Sequence, residues 1–201
     1  MAAKTPYDTF DVQHFEKWSR EYENSWMQRR LFVPIHEALL DLAATLPAPT
    51  SVLDIGCGTG RLLRAAAQRW PNTTLYGVDP AEGMVAVAQR LTPNATIQRG
   101  LAEKLPLPDA SIDLAVSTMS FHHWGDQLAG VREIARVLRP GGHFILVDFA
   151  PPAALAWISA ISGERAQPLL GRRRIFTAAG LRIQRQRRAV YPLIWATVAA
   201  K

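Results

Sequence analysis

Apolar positions near the N-terminus recur at three- and four-residue intervals: Phe15, Trp18, Tyr22 and Trp26, then Leu31, Ile35, Leu39 and Leu42. This spacing places them on one face of helical segments, interrupted around Pro34, that require a surface to lie on. Leu46-Pro-Ala-Pro-Thr50 ends the helical pattern, because each proline biases its predecessor toward extended backbone. Short apolar runs then alternate with helical periodicity. Residues 52–55, 74–78, 95–99, 112–117 and 143–149 read as strands, and 62–70, 82–91 and 127–138 as helices between them. Stretches such as Leu114-Ala-Val and Phe144-Ile-Leu-Val lack polar alternation, as expected of strands covered on both faces. Repeated strand–helix units imply an α/β fold, a mostly parallel sheet wrapped by helices through right-handed crossovers.

Beyond residue 149 the pattern predicts helices over 152–161 and 170–180, a strand over 181–187 and a seventh strand over 190–198, which Pro192 demotes to a sheet edge or a bulge. With 201 residues, 48% hydrophobic and 20% charged, the chain can bury one core, which excludes intrinsic disorder. One cysteine, Cys57, excludes a disulfide scaffold and points to a reducing compartment. The sequence opens without a charged-then-apolar leader, and no apolar stretch approaches the roughly 18 residues of a membrane span. A cytoplasmic protein is expected. Of the net charge of +6, most is concentrated late: residues 151–201 hold nine Lys/Arg and one acidic residue. Arg172, Arg173, Arg174, Arg182, Arg185, Arg187 and Arg188 form either a site for phosphate, anionic lipid or an acidic substrate, or a solvated face.

The strongest chemical signal is Val52-Leu-Asp-Ile-Gly-Cys-Gly-Thr-Gly60, where the first core strand hands over to its helix. Ligands of open α/β sheets bind at such a junction. Gly56, Gly58 and Gly60 permit positive φ and close ligand approach. Asp79 ends the second strand nineteen residues after Gly60, at the distance where a carboxylate accepts ribose hydroxyls. The spacing is G-x-G-x-G rather than the G-x-G-x-x-G of dinucleotide sites, and Asp54 puts a carboxylate at the lip of the loop. That charge repels a pyrophosphate but orients an ammonium group. A nucleoside carrying an amino-acid arm follows, and S-adenosylmethionine fits that description.

These features, with Gly77-Val-Asp-Pro80, Gly100-Leu-Ala-Glu-Lys-Leu-Pro106, Ser111-Ile-Asp-Leu114 and Val137-Leu-Arg-Pro-Gly-Gly142, resemble the class I S-adenosylmethionine-dependent methyltransferases. The likeness, over roughly residues 7–147, is to the small-molecule branch that includes the ubiquinone and menaquinone methylases. It implies a Rossmann-like, mostly parallel seven-stranded sheet with helices on both faces. A single domain is expected over 1–201, with 1–48 as an N-terminal helical lid, 49–149 as the cofactor-binding core and 150–201 as a substrate-side segment with the last strands. The resemblance assigns Asp54, Gly56, Cys57, Gly58, Gly60, Asp79 and Pro80 to the cofactor site, Met84 beside the ribose or adenine, and Ala102 and Glu103 beside the adenine. Ser117 and Phe121 would face the methionine arm. Family members often carry an acidic residue where this chain has Leu101, so a backbone carbonyl or Glu103 must receive the adenine amino group.

His122 and His123 follow the fourth strand, where an acceptor would meet the sulfonium; either can take a proton near neutral pH, or pack against Trp124 and cap the next helix. Tyr7, Phe10, Phe15, Trp18, Tyr22 and Trp26 suit a lid as well as they suit core packing, with Tyr22 and Trp26 the expected cofactor contacts. The Cys57 thiol itself is a loop filler, no spacing of His, Cys and carboxylates indicates a metal, and Asp148 either faces the pocket or caps a loop. The acceptor expected is a small molecule, apolar or aromatic, with Trp157 and Phe176 among its lining. A nucleic-acid acceptor is disfavoured, since Ser117-Thr-Met-Ser-Phe121 stands where exocyclic-amine methylases carry Asn/Asp-Pro-Pro-aromatic; an RNA methylase using the basic tail and a non-catalytic S-adenosylmethionine-binding protein remain as alternatives. A nicotinamide oxidoreductase is disfavoured by the glycine spacing. Nothing in the sequence fixes an oligomeric state.

Overall fold

A computed structural model describes residues 10–23, 25, 26, 28–152 and 165–201. Strands β1 (Ser51–Ile55), β2 (Thr74–Asp79), β3 (Ala95–Arg99), β4 (Ile112–Thr118), β5 (Leu138–Phe149), β6 (Arg182–Arg188) and β7 (Ile194–Ala200) form one sheet in the order β3-β2-β1-β4-β5-β7-β6. The first five are mutually parallel, and β7 runs antiparallel to both neighbours. Strand order reverses between β1 and β4, so the crevice at their carboxyl ends is the natural ligand site.

Helices α1 (Phe10–Tyr22), α2 (Val33–Ala43), α3 (Arg61–Arg69), α4 (Glu82–Leu91), α5 (Gln127–Val137) and α6 (Leu169–Ala178) accompany the sheet. On one face Leu39 of α2, Leu63 of α3 and Ala88 of α4 pack with Val52, Leu75, Ile97, Val116 and Ile145. On the other, Val131 and Ile134 of α5 and Phe176 of α6 meet Leu53, Ala115, Phe144 and Leu146. Alternate residues of β1, Val52 and Leu53, therefore enter opposite cores, as a period of two requires. A third apolar group, Phe15, Trp18, Tyr22, Phe32, Ala81 and Met84, joins α1 to the start of α4.

Several expectations are corrected. Pro34 lies in the first turn of α2, where its missing N–H is no loss, and a π-helical turn, Gln28–Phe32, runs directly into that helix. β5 begins at Leu138, which pairs with Ile112, so Arg139–Gly142 belongs to an irregular extension of the strand. The last strand begins only at Ile194, after Pro192, and lies inside the sheet between β5 and β6; β6 is the edge. Because the chain turns through Tyr191 and Pro192 before pairing starts, the proline never has to occupy a ladder position. Tyr7, Trp157, the predicted helix over 152–161 from residue 153 onward, and the side chain of Phe10 fall outside what the structure describes.

Arg172, expected in an exposed anion-binding cluster, is fully buried. Its guanidinium donates to the carbonyls of Trp195 and Phe149 and lies close enough to Asp148 for their charges to interact. Arg172→Met is expected to lower stability by about 2–4 kcal/mol, since it takes the donor from two carbonyls and the counter-charge from buried Asp148. Chemical denaturation measures this directly.

Candidate active site

At the end of β1 the chain turns through Gly56-Cys-Gly-Thr-Gly60 into α3, with φ of 75° at Gly56 and 51° at Gly58. The N–H groups of Gly56 and Cys57 donate to the Val78 carbonyl at 2.8 and 3.1 Å, tying the turn to β2. A Cβ at Gly56 would lie 2.0 Å from Ser120 Oγ, so only glycine allows the segments after β1 and β4 to close together. Asp79, at the end of β2, accepts the Gly58 N–H at 2.9 Å on Oδ2 and the Ala81 N–H at 3.0 Å on Oδ1.

Around this turn lies a cavity of about 570 Å³, large enough for a nucleoside with an amino-acid arm. Ile55, Gly56 and Gly58 form one wall; Asp79, Pro80, Ala81 and Met84 continue it. Gly100 to Glu103, after β3, Thr118 at the end of β4, and Met119, Ser120, His123, Trp124 and Gly125 beyond it also line the cavity. Val12, Phe15, Tyr22 and Phe32 of the N-terminal segment close it, and Arg165 reaches it from beyond β5.

The electrostatics are acidic at the glycine turn. Burial, reinforced by the charge of Asp79, pushes the Asp54 carboxyl up to about 8, and its Oδ1 has no hydrogen-bond partner. Burial likewise raises Asp79, to about 6, against the lowering effect of its two N–H donors. The Tyr22 phenol, buried and near Asp79, is pushed well above its ordinary range and so keeps its proton. Two buried carboxyls that resist ionisation leave the turn short of positive charge.

The N-terminal segment is fastened over this site. Glu16 of α1 accepts the Gly83 N–H at the start of α4, at 2.9 and 3.0 Å. Glu23 accepts from Thr59 at 2.5 Å and pairs with Arg61 and Arg64 at 2.6 Å. Tyr22 consequently rests near Gly58, whereas Trp26 is 72% exposed and outside the cavity lining.

After β4 the backbone turns through Met119, whose φ of 50° is uncommon for a side chain of that size; such strain is typical of ligand sites. The following 3₁₀ turn, Phe121–His123, presents His123 to the cavity with its ring edge-on to Phe15 at 5.5 Å. His122 turns inward. Its Nδ1 is 2.6 Å from Asp148 Oδ1, and its ring lies 4.0 Å from that of His123. Burial alone would raise Asp148, but His122, with Arg172 behind it, holds the carboxyl below its ordinary range. An ionised Asp148 accepts the Nδ1–H of His122 and fixes its tautomer.

Of the residues singled out from sequence, Gly56, Gly58, Asp79, Pro80, Met84, Ala102, Glu103, Tyr22 and His123 meet around one cavity. Asp54, Cys57, Gly60, Ser117, His122 and Trp26 do not line it. Cys57 sits in the core near Leu63 and Ile97, Gly60 faces Thr92 and Ala88 of α4, and Ser117 is buried one residue before the lining begins at Thr118. Phe121 packs in the core against Trp124 at 5.0 Å, and Phe176 stacks on Phe144 at 5.3 Å, away from the cavity. Glu103 Oε1 accepts the Asp126 N–H, so that oxygen is engaged at the start of α5. Thr118, Met119, Ser120, Trp124 and Arg165 carry no motif that marks them in sequence; only the turn after β4 brings the first four to the wall.

Residues 53–146 match a family described as methyltransferase domain. The YcgJ protein of Bacillus subtilis, a solved structure, superposes with a TM-score of 0.67 at 32% identity, over 74% of this chain and 70% of that one. The chain belongs to the methyltransferase-domain family. Among its curated relatives, a malonyl-[acyl-carrier protein] O-methyltransferase of Dechloromonas aromatica is 35% identical over 140 residues, 69% of this chain and 50% of that protein. A demethylmenaquinone methyltransferase of Thermus thermophilus is 31% identical over 130 residues, 62% of this chain and 59% of that protein. The chain thus spans between half and three-fifths of the length of these two relatives. Family membership implies S-adenosylmethionine as cofactor, and this chain's residues fit it: bare Gly56 and Gly58 leave room, Asp54 offers an unpartnered buried oxygen, and Asp79 a carboxylate at the wall.

Proposed function

We propose that this chain binds S-adenosylmethionine in the cavity beside the glycine turn and transfers its methyl group to a small apolar or aromatic acceptor by in-line displacement. The observation that carries the reading is the pair of buried carboxyls, Asp54 and Asp79, at a turn with bare backbone. Asp79, ionised at neutral pH, repels a pyrophosphate and attracts an ammonium or a sulfonium, and a cation beside Asp54 favours loss of that carboxyl's proton. Bound in this cavity, S-adenosylmethionine supplies an electrophilic methyl on a good neutral leaving group.

The chain's own residues do the rest. Asp79 receives the ribose hydroxyls, and Met84, Leu101 and Ala102 enclose the base. Phe15, Tyr22 and Phe32 exclude water and place aromatic faces in the cavity, where a cation is favoured. His123 takes a proton from an acceptor that has one to lose, while His122, held by Asp148, supports the His123 ring from behind. Alignment of the acceptor contributes much of the rate even without a base. Apolar walls from Val12, Phe15, Met119 and Trp124 suit an acceptor closer in character to demethylmenaquinone, named for the Thermus relative, than to a polar metabolite.

Release of S-adenosylhomocysteine, followed across phenols, quinols, amines, carboxylates and thiols, tests the proposal. Turnover is expected with an apolar aromatic acceptor. His123→Asn is expected to slow it by about 10²-fold with affinity for S-adenosylhomocysteine kept. Absence of calorimetric binding of either form of the cofactor would overturn the reading.

A further inference from the structure

All four large apolar side chains left exposed among the described residues, Trp26, Leu170, Val190 and Leu193, lie at one end of the molecule. Leu193 accepts the Ala150 N–H with its carbonyl, just beyond the carboxyl end of β5. Val190 is in the same turn, where the Tyr191 hydroxyl donates to the Arg30 carbonyl of the N-terminal segment. Leu170 is in the first turn of α6, five residues after Arg165, whose N–H donates to the His122 carbonyl, and from there the helix runs toward β6. Trp26 lies between α1 and the π-helical turn that contributes Phe32 to the cavity. This is the end at which the cavity lies.

The same rim is basic. Arg29, Arg30, Arg187 and Arg188 are exposed, and none is in an ion pair among the described residues. Arg188 lies over the Trp195 ring at 5.7 Å. Of the carboxylates of this end, Glu23 is paired with Arg61 and Arg64, Glu16 accepts the Gly83 N–H, Glu21 is exposed on α1, and Glu82, Glu103 and Asp126 follow β2, β3 and β4, on the other half of the sheet. From Arg165 to Lys201 there is no acidic residue at all. Scattered exposed leucines need no explanation, but apolar tips gathered at one end and ringed by arginine mark an interaction surface. A nucleic acid would use the arginines without the leucines, and a second copy of the same surface would set arginine against arginine. Apolar tips with guanidinium groups around them match the acyl boundary and the phosphates of an anionic bilayer. Among the described residues no helix is long and apolar enough to cross a membrane, so the contact would be peripheral.

We propose that the cavity-bearing end of the sheet docks on an anionic lipid surface through Leu170, Val190 and Leu193 within a rim of Arg29, Arg30, Arg187 and Arg188, drawing its methyl acceptor from the lipid phase. The acceptor clause rests on the methyl-transfer reading; the docking does not.

Cosedimentation with phosphatidylcholine vesicles, with and without phosphatidylglycerol, tests it. Wild-type protein is expected to pellet with the anionic vesicles and to be released by molar salt. Leu193→Asp, and separately Arg187→Gln with Arg188→Gln, should weaken that partition by about tenfold or more, with melting temperature and S-adenosylhomocysteine affinity unchanged. Arg173→Gln with Arg182→Gln removes the same charge nearer the opposite end of β6 and is expected to leave partition nearly unchanged. No pelleting, equal pelleting on both vesicles, equal loss from the control pair, or displacement from vesicles by a short RNA at physiological salt would overturn docking. S-adenosylhomocysteine calorimetry on the same samples separates the two proposals: vesicle binding without cofactor binding sinks the methyl-transfer reading alone.

Discussion

Gly56→Val is expected to weaken binding of S-adenosylmethionine and S-adenosylhomocysteine by more than about 100-fold, the equivalent of roughly 3 kcal/mol. Two effects add. The new Cβ would sit 2.0 Å from Ser120 Oγ and 2.5 Å from its Cβ, so the segment after β4 must move, and with it the bond from Trp124 Nε1 to Ser120 Oγ and the cavity wall. In addition, a φ of 75° costs a β-branched residue on the order of 1–3 kcal/mol. Gly58→Ala provides the comparison: its Cβ would meet only the Tyr22 ring, at 3.7 Å, so its loss of stability should be the smaller. Calorimetric titration with thermal melts of both variants reads the difference. Wild-type affinity in Gly56→Val would mean that the ligand does not lie on this turn.

Affinity for the cationic cofactor is expected to rise with pH toward about 8, by up to about tenfold per unit, and Asp54→Asn should flatten the rise. The direction follows from the carboxyl's position: held up to about 8 in the folded protein, it stays protonated near neutrality, and a cation bound beside it favours loss of that proton. Without ligand the sign reverses. A carboxyl raised on folding binds more protons in the native state than in the unfolded one, so its contribution to stability is complete below about 4 and is lost as pH rises to about 8; for Asp79 the loss ends near 6. Asp113, which burial alone would raise but which its bonds to Thr50 and Arg139 together bring down to about 2, acts oppositely and only in acid. Melting temperature of the ligand-free protein should therefore fall between pH 5 and 8 by these two carboxyls, less so in Asp54→Asn, and added cofactor should restore it increasingly as pH rises. A phosphate-bearing ligand would show declining affinity over the same range, which separates the two ligand classes in one titration.

What the sequence revealed is what depends on neighbours in the chain. β1, β2 and β4 are short, largely apolar runs, and the spacing from Gly60 to Asp79 is set by one intervening helix and one strand, so their meeting is a local matter. Trp26 illustrates the limit. Its four-residue spacing from Tyr22 keeps phase only while a helix continues, but α1 ends at Tyr22 and Ser25 is not helical, so Trp26, where winding has resumed, is out of register and its indole lies in solvent. Ser117 and Thr118 differ by one residue on a strand of period two, and a one-residue offset exchanges core for cavity. The His122–Asp148 pair joins residues 26 apart through the adjacency of β4 and β5, and Arg172 owes its burial to carbonyls of two strands that approach only in the folded sheet. Neither partnership leaves a trace in spacing.

The contacts of Glu16 and Glu23 that fasten the N-terminal segment make its grip a matter of ionic strength as well as of fit. We propose that ligands pass beneath that strap, whose charged fastenings slacken in brine while oily ones tighten. Ligand release is therefore expected to be slower in dilute buffer than in concentrated salt, with the walls of the chamber unaltered.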